Sequence, residues 1–215
     1  MSFSHDAWEA IAPIRQAIDE LPLLTGMEDG SLPRDSFVYY MAQDAHYLAD
    51  YGRVLAAAAS QTTNPDDLLF WARSANTTVV VERELHAAHV ADFAASTKSP
   101  TCTAYTSYLF SLAAAGHYPT LAAGILPCFW IYEDVGRRLK ARISDLTEHP
   151  YADWISTYGD PEFAASTEQA KRILDRLAAQ ADPAAVERMH EAFATASRYE
   201  WMFWDAAWRQ ETWPI

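Results

Sequence analysis

Side chains able to do chemistry gather in a few short stretches. The first is Ile125-Leu126-Pro127-Cys128-Phe129-Trp130-Ile131-Tyr132-Glu133. A proline inside a helical run removes a backbone hydrogen bond and disfavours helical geometry in the residue before it, at a cost of about 3 kcal/mol in an exposed helix. The distortion falls immediately before Cys128, and Tyr132 lies one turn further on the same face. A thiol beside a phenol in an aromatic wall suits a nucleophile pocket; the same residues also describe a buried cysteine in a kinked core helix. The second stretch is Gln43-Asp44-Ala45-His46-Tyr47-Leu48, with Tyr40 and Tyr51 on either side. Asp44 and Tyr47 share a helix face, so a carboxylate there would accept hydrogen bonds from an exocyclic amino group while a ring stacks on the ligand. The other reading is a solvent-facing aspartate beside core tyrosines.

The third stretch runs Tyr199-Glu200-Trp201-Met202-Phe203-Trp204-Asp205. Glu200 among so many apolar neighbours is either on a narrow polar stripe or buried. Burial would raise its pKa into the range of a general acid/base. Asp205 falls off that face and is expected to be solvated. A competing signal is Glu82-Arg83-Glu84-Leu85-His86-Ala87-Ala88-His89. Glu82, His86 and His89 share a face at spacings compatible with metal ligation. Metal sites in helical bundles use several carboxylate–histidine pairs on facing helices, and the chain has no second Glu-x-x-His. A metal site is therefore not expected.

These residues need helices to hold them. Trp8, Ile11, Ile14 and Ile18 recur at helical spacing and predict a first helix ending near Leu21-Pro22, followed by a loop over Gly26–Pro33. A long helix is expected from Arg34 to Ser60. Another, capped by Asn64 and opened by Pro65, should run to about Ala95. Further helices are expected over Thr103–Ala115, Thr120–Ile143, His149–Tyr158, from Gly159-Asp160-Pro161 onward, and from Asp182-Pro183 to Arg209. No strand alternation is seen, so the fold class is all-α: about eight helices in a single domain over residues 1–215.

Half of the 215 residues are hydrophobic, enough for a packed core. The formal charge of −13 would repel a polyanion, so no nucleic-acid partner is expected. Apolar stretches are interrupted too often for a membrane span. The two cysteines make neither a disulfide framework nor a CxxC pair, and residues 1–6 show no secretory pattern. The expected location is the cytoplasm, where a free thiol stays available.

Four segments together resemble the TenA/thiaminase-II family. Leu32-Pro33-Arg34-Asp35-Ser36-Phe37-Val38-Tyr39-Tyr40-Met41-Ala42-Gln43-Asp44-Ala45-His46-Tyr47-Leu48 resembles its GxLPxxxFxxYxxQDxxYL signature, and Leu126-Pro127-Cys128-Phe129-Trp130-Ile131-Tyr132 its LPCxWxY segment. Trp154-Ile155-Ser156-Thr157-Tyr158-Gly159 resembles WIxTYG, and Glu200-Trp201-Met202-Phe203-Trp204 the C-terminal ExxFW. Cys128 matches the cysteine-bearing branch. The resemblance implies a heme-oxygenase-like multi-helix bundle without heme, assembled as a homotetramer. It also implies hydrolysis of 4-amino-5-aminomethyl-2-methylpyrimidine, or cleavage of thiamine to hydroxymethylpyrimidine and thiazole, in thiamine salvage. Cys128 would then be the nucleophile and Glu200 the acid/base. Asp44 would hold the amino group. Tyr47 and Tyr105 would line or stack on the ring, and Tyr132 and Tyr158 would hydrogen-bond near the nucleophile and leaving group. The alternatives are a pyrimidine- or thiamine-binding regulatory protein with little turnover, and a metal-dependent oxygenase using Glu82, His86 and His89.

Overall fold

Two long helices of the chain carry the same pattern: an apolar stripe at three- and four-residue spacing with one carboxylate set into it. In α4 (Arg34–Gln61) the buried stripe is Phe37, Tyr40, Met41, Asp44, Tyr47, Leu48, Tyr51 and Leu55. In α10 (Pro183–Trp208) it is Met189, Phe193, Ala196, Glu200, Phe203, Trp204 and Ala207. Such stripes must face other helices, and each carboxylate goes inside with its stripe. The computed structural model describes residues 2–89 and 96–215, with backbone alone for 81–89.

Among the described residues there are ten helices: α1 (Phe3–Ala10), α2 (Ala12–Asp19), α3 (Pro22–Asp29), α4, α5 (Pro65–His89), α6 (Pro100–Ala114), α7 (Tyr118–Arg142), α8 (Ala152–Tyr158), α9 (Pro161–Gln180) and α10. α4 lies along α5 and α7 lies along α10, with the shorter helices packed around them. One apolar cluster runs through all of them, from Phe3 to Ala207. The all-α expectation holds.

Two helices differ from the sequence expectation. The single first helix is broken between α1 and α2, because Pro13 has no N–H to continue the ladder and instead sits in the opening turn of α2. The Ile11 carbonyl still accepts from Ile14 and Arg15, so the apolar stripe continues across the break. Part of the expected Gly26–Pro33 loop is the end of α3. Gly26, placed at the start of that loop, lies inside the helix, where an added Cβ would be 3.1 Å from the Leu32 backbone. Close approach of the returning chain is what requires glycine. Gly30, at φ 78°, then ends the helix in the left-handed region. The expected helix to Ala95 is described as far as His89.

The helix carrying Cys128 runs unbroken through Pro127. Tyr51 Oη donates to the Ile125 carbonyl at 2.9 Å, fixing α4 against α7 beside the proline-containing turn. Further along, α7 meets α8 at Gly136, where a Cβ would lie 2.5 Å from the Tyr158 carbonyl carbon. Only glycine lets the backbone carrying Tyr158 approach this closely.

Candidate active site

A cavity of about 620 Å³ opens between α4, α5, α7, α8 and α9. Its inner wall carries four residues singled out from the sequence: Asp44, Cys128, Tyr132 and Tyr158. Asp44 is buried at 2% exposure. This settles its open alternatives: it is on the inward stripe of α4, not facing solvent. Cys128 is half-buried. Phe129, Phe163 and Tyr51 complete an aromatic lining, with Phe129 and Phe163 stacked at 6.2 Å and 9°. Tyr51 and Phe163 had no assigned role in the sequence reading. Tyr51 was visible there as a neighbour of Asp44, one turn past Tyr47 on the same stripe.

Tyr47, Tyr105 and Glu200 are not on the cavity wall; they form a layer behind it. Tyr105 Oη donates to Glu200 Oε1 at 2.6 Å. The Tyr47 ring lies against Tyr51, Tyr105 and Phe203, with the Tyr51 ring nearly parallel at 5.3 Å, and Tyr105 is stacked on Tyr199 at 5.2 Å and 9°. The expectation that Tyr47 and Tyr105 line the pocket is therefore not the arrangement seen: their rings back the wall that Cys128 and Tyr51 face. A second chain of polar groups holds the other side. Trp154 Nε1 donates to Tyr40 Oη at 3.0 Å, which in turn donates to Tyr132 Oη at 3.4 Å. Tyr132 and Tyr158 meet with ring centroids 4.8 Å apart.

The electrostatics of this layer follow from burial. Glu200, 1% exposed, has its pKa pushed up to about 8, chiefly by desolvation; the Tyr105 hydrogen bond works against the shift and the nearby Asp44 carboxylate adds to it. The Cys128 thiol is raised well above its usual range, first by burial and then by Glu200, while the hydroxyls of Tyr47 and Tyr51 pull it partly back. A negative charge on Glu200 disfavours one on Cys128. At neutral pH both hold their protons. The other cysteine, Cys102, is buried and pushed up to about 12, far from a reactive thiolate.

Gln43 contributes something the sequence reading did not identify. Its Oε1 accepts from Ser99 N at 2.8 Å and its Nε2 donates to the Thr97 carbonyl at 3.0 Å. Ser99 Oγ in turn caps α6 by accepting from Cys102 N at 3.1 Å. The residue next to Asp44 thus anchors the start of the helix that carries Tyr105. Asp205 sits half-buried near the surface, paired with Arg209 at 2.8 Å. Glu82, His86 and His89 have side chains outside the described residues. Among those described, no three His, Cys, Asp or Glu side chains could hold a metal ion. No described helix is long and apolar enough to cross a membrane.

The profile of the TENA/THI-4/PQQC family matches residues 8–210. The chain belongs to this family. It is 32% identical over 221 residues to the aminopyrimidine aminohydrolase of Halalkalibacterium halodurans, covering 99% of this chain and 98% of that one. It is 34% identical over 212 residues to the thiamine biosynthesis multifunctional protein ThiED of Corynebacterium efficiens, covering 97% of this chain. The chain spans only 28% of that protein's length. Among solved structures, a TenA homologue protein from P. horikoshii OT3 superposes with a TM-score of 0.86 at 24% identity, over 97% of this chain and 99% of that one. That likeness establishes the TenA fold for the bundle described here.

Proposed function

We propose that this family member is an aminopyrimidine aminohydrolase of the thiaminase-II type, in the cysteine-bearing branch. The observation that carries the reading is the placement of Asp44 and Cys128 on the wall of one aromatic cavity, with Glu200 raised to about 8 in the layer behind them. In this reading the pyrimidine is pressed to the inner end of the cavity between the rings of Phe129 and Tyr158, its amino group on Asp44 and a ring nitrogen turned toward Glu200.

The chemistry follows from the protonation states. Neutral Glu200 donates its proton to the ring nitrogen, which makes the adjacent ring carbon electrophilic. The Cys128 sulfur adds to that carbon and its proton replaces the one Glu200 gave, so thiol and carboxyl never bear charge together. The ring is now an enamine. The amino group's lone pair drives out the leaving group from the exocyclic methylene, and the positive charge developing on that amino nitrogen falls beside the Asp44 carboxylate. Water adds to the methylene as hydroxyl, its proton leaving with the departing amine, or to solvent when the thiazole departs. The C–S bond breaks as Glu200 passes the proton it took from Cys128 back to the sulfur and takes the ring nitrogen's proton in its place. Tyr132 and Tyr158 face the methylene side as hydrogen-bonding groups. No metal or organic cofactor takes part, and the assembly is read as a homotetramer acting in the cytoplasm on a small pyrimidine of thiamine salvage.

A product assay with 4-amino-5-aminomethyl-2-methylpyrimidine and with thiamine, side by side, tests the reading. Hydroxymethylpyrimidine should appear from at least one of them, with ammonia or the thiazole alcohol as co-product. Consumption of neither would refute it.

A further inference from the structure

The cavity is longer than an aminopyrimidine needs, and its outer part differs chemically from its inner end. α5 lines it with Asp66, Phe70, Arg73, Ser74, Thr77 and Thr78, one helix face spanning 13 residues, about 18 Å at 1.5 Å per residue. Gly52 of α4 packs on Val79 and the Ala75 carbonyl, which sets Tyr51, and with it the Cys128 thiol, near the level of Thr78. Arg73 lies about 6 to 8 Å from that level along the helix, on the exposed side of the cavity, while Phe70, one turn beyond it, is buried against Phe129.

Arg73 is the one cationic side chain on this wall among the described residues. It is exposed and has no ion pair among them. Its own helix offers none: the positions three and four residues away are Leu69, Phe70, Asn76 and Thr77. Arg53, Arg137, Arg138 and Arg209, by contrast, are each paired with a carboxylate three or four residues off. Asp66 is two turns away, about 10 Å. Thr77 on α5 and Ser166 and Gln169 on α9 also line the cavity, with side chains not hydrogen-bonded among the described residues. A guanidinium without an ion pair among the described residues, lining the exposed side of the same cavity as two hydroxyls and an amide in a chain of net charge −13, is a cationic donor set free to meet an anion.

We infer that this outer part of the cavity, centred on Arg73, recognises a phosphate monoester at the far end of the substrate's leaving group. The inference rests on the reading of the site given above. A phosphate presents three oxygens to the donors that line this part of the cavity, and a guanidinium favours such an anion through charge-assisted hydrogen bonds. The reaction is unchanged: the bond between the methylene and the leaving nitrogen breaks, water supplies the new hydroxyl, and the phosphate leaves on the departing group.

Thiamine monophosphate and thiamine serve as probes. The protein should show a kcat/KM for the monophosphate about tenfold or more above that for thiamine, as for a charge-assisted contact partly exposed to water. Arg73→Gln should erase that ratio, Arg73→Lys should keep part of it, and Arg53→Gln, on the surface away from the cavity, should keep it all. Thiamine used as well as its monophosphate, or a ratio surviving in Arg73→Gln, would overturn the inference. If the protein turns over no pyrimidine compound at all, the hydrolase reading fails by itself, and the subsite is then judged by binding. Tryptophan fluorescence titration should show tighter binding of the monophosphate, lost in Arg73→Gln; equal binding of the two probes overturns it.

Discussion

Replacing Glu200 by glutamine should make the protein's stability respond differently to pH, by an amount the structure sets. Glu200 is 1% exposed and accepts one hydrogen bond, from Tyr105 at 2.6 Å. Its pKa rises from 4.5 to about 8 on folding. Below pH 4.5 the carboxyl is neutral in both folded and unfolded chains and contributes its full share. Between 4.5 and 8 the unfolded chain releases this proton and the folded one retains it, so folding loses about 1.4 kcal/mol per pH unit, about 5 kcal/mol across the window. Above 8 both states are ionised and the loss stops growing.

Glutamine keeps the shape and can still accept from Tyr105, but it cannot ionise. It leaves an amide donor to be accommodated, a fixed offset of about 1–3 kcal/mol that does not vary with pH. Other titrating groups affect parent and variant alike. The difference in unfolding free energy, Glu200→Gln minus parent, should therefore climb by about 5 kcal/mol from pH 4.5 to pH 8 and then level off. Urea denaturation followed by tryptophan fluorescence, at unit pH steps from 4.5 to 9, measures it. A difference that stays flat over that range would show that Glu200 ionises as readily inside the protein as outside, and the proton-donor role would lose its physical basis.

Cys128→Ala should lower turnover of the aminomethyl pyrimidine by roughly a thousandfold or more while ligand affinity stays within about tenfold, because binding rests on rings and Asp44 rather than on the thiol; single-turnover kinetics and calorimetric titration separate the two. The kcat/KM profile should fall as pH rises through about 8, where Glu200 loses the proton it must donate; a profile still rising at pH 9 would contradict this. Gly136→Ala would force a Cβ to within 2.5 Å of the Tyr158 backbone, so α8 must move off α7. The expected cost is about 1–3 kcal/mol in thermal or urea unfolding, with reduced turnover as Tyr158 leaves the wall.

What the sequence could convey depended on whether periodicity spoke for the residue. The spacing of Phe37, Tyr40, Asp44, Tyr47 and Tyr51 places Asp44 within the apolar stripe and not beside it, and the structure buries them together. Glu200 follows the same logic among Phe193, Ala196, Phe203 and Trp204. The layering was not legible. Periodicity says that Tyr47 and Tyr105 point inward but not which inward side chain reaches a cavity first, since that depends on distances between helices. α3 is not legible because Gly26 opens the expected loop, and its helical place is explained only by the Leu32 backbone lying against it. The lining face of α5 was hidden for a related reason. Asp66, Arg73, Ser74, Thr77 and Thr78 spell an ordinary solvated helix face, and only the gap between α5 and α9 makes it the wall of a site.

The two ends of the cavity solve opposite problems, and the placement of charge explains why Glu200 lies behind the wall and not on it. A carboxyl in contact with cavity water would be solvated and ionised near 4.5, leaving no proton to give at neutral pH. One layer back, buried and hydrogen-bonded to Tyr105, it keeps that proton until a basic ring nitrogen arrives, and its neutrality removes one of the charges that hold the Cys128 thiol protonated. A cation near this end would undo the arrangement by drawing Glu200 back toward its ordinary range. The guanidinium of Arg73 stands instead on the exposed side of the same wall, about one to two turns of α5 away, where solvent screens it from Glu200. Moving that charge inward, for example by Thr78→Arg, should lower the pKa of Glu200 and shift the alkaline fall in kcat/KM below 8; an unmoved profile would show that the inner end owes its neutrality to something other than the distance from Arg73.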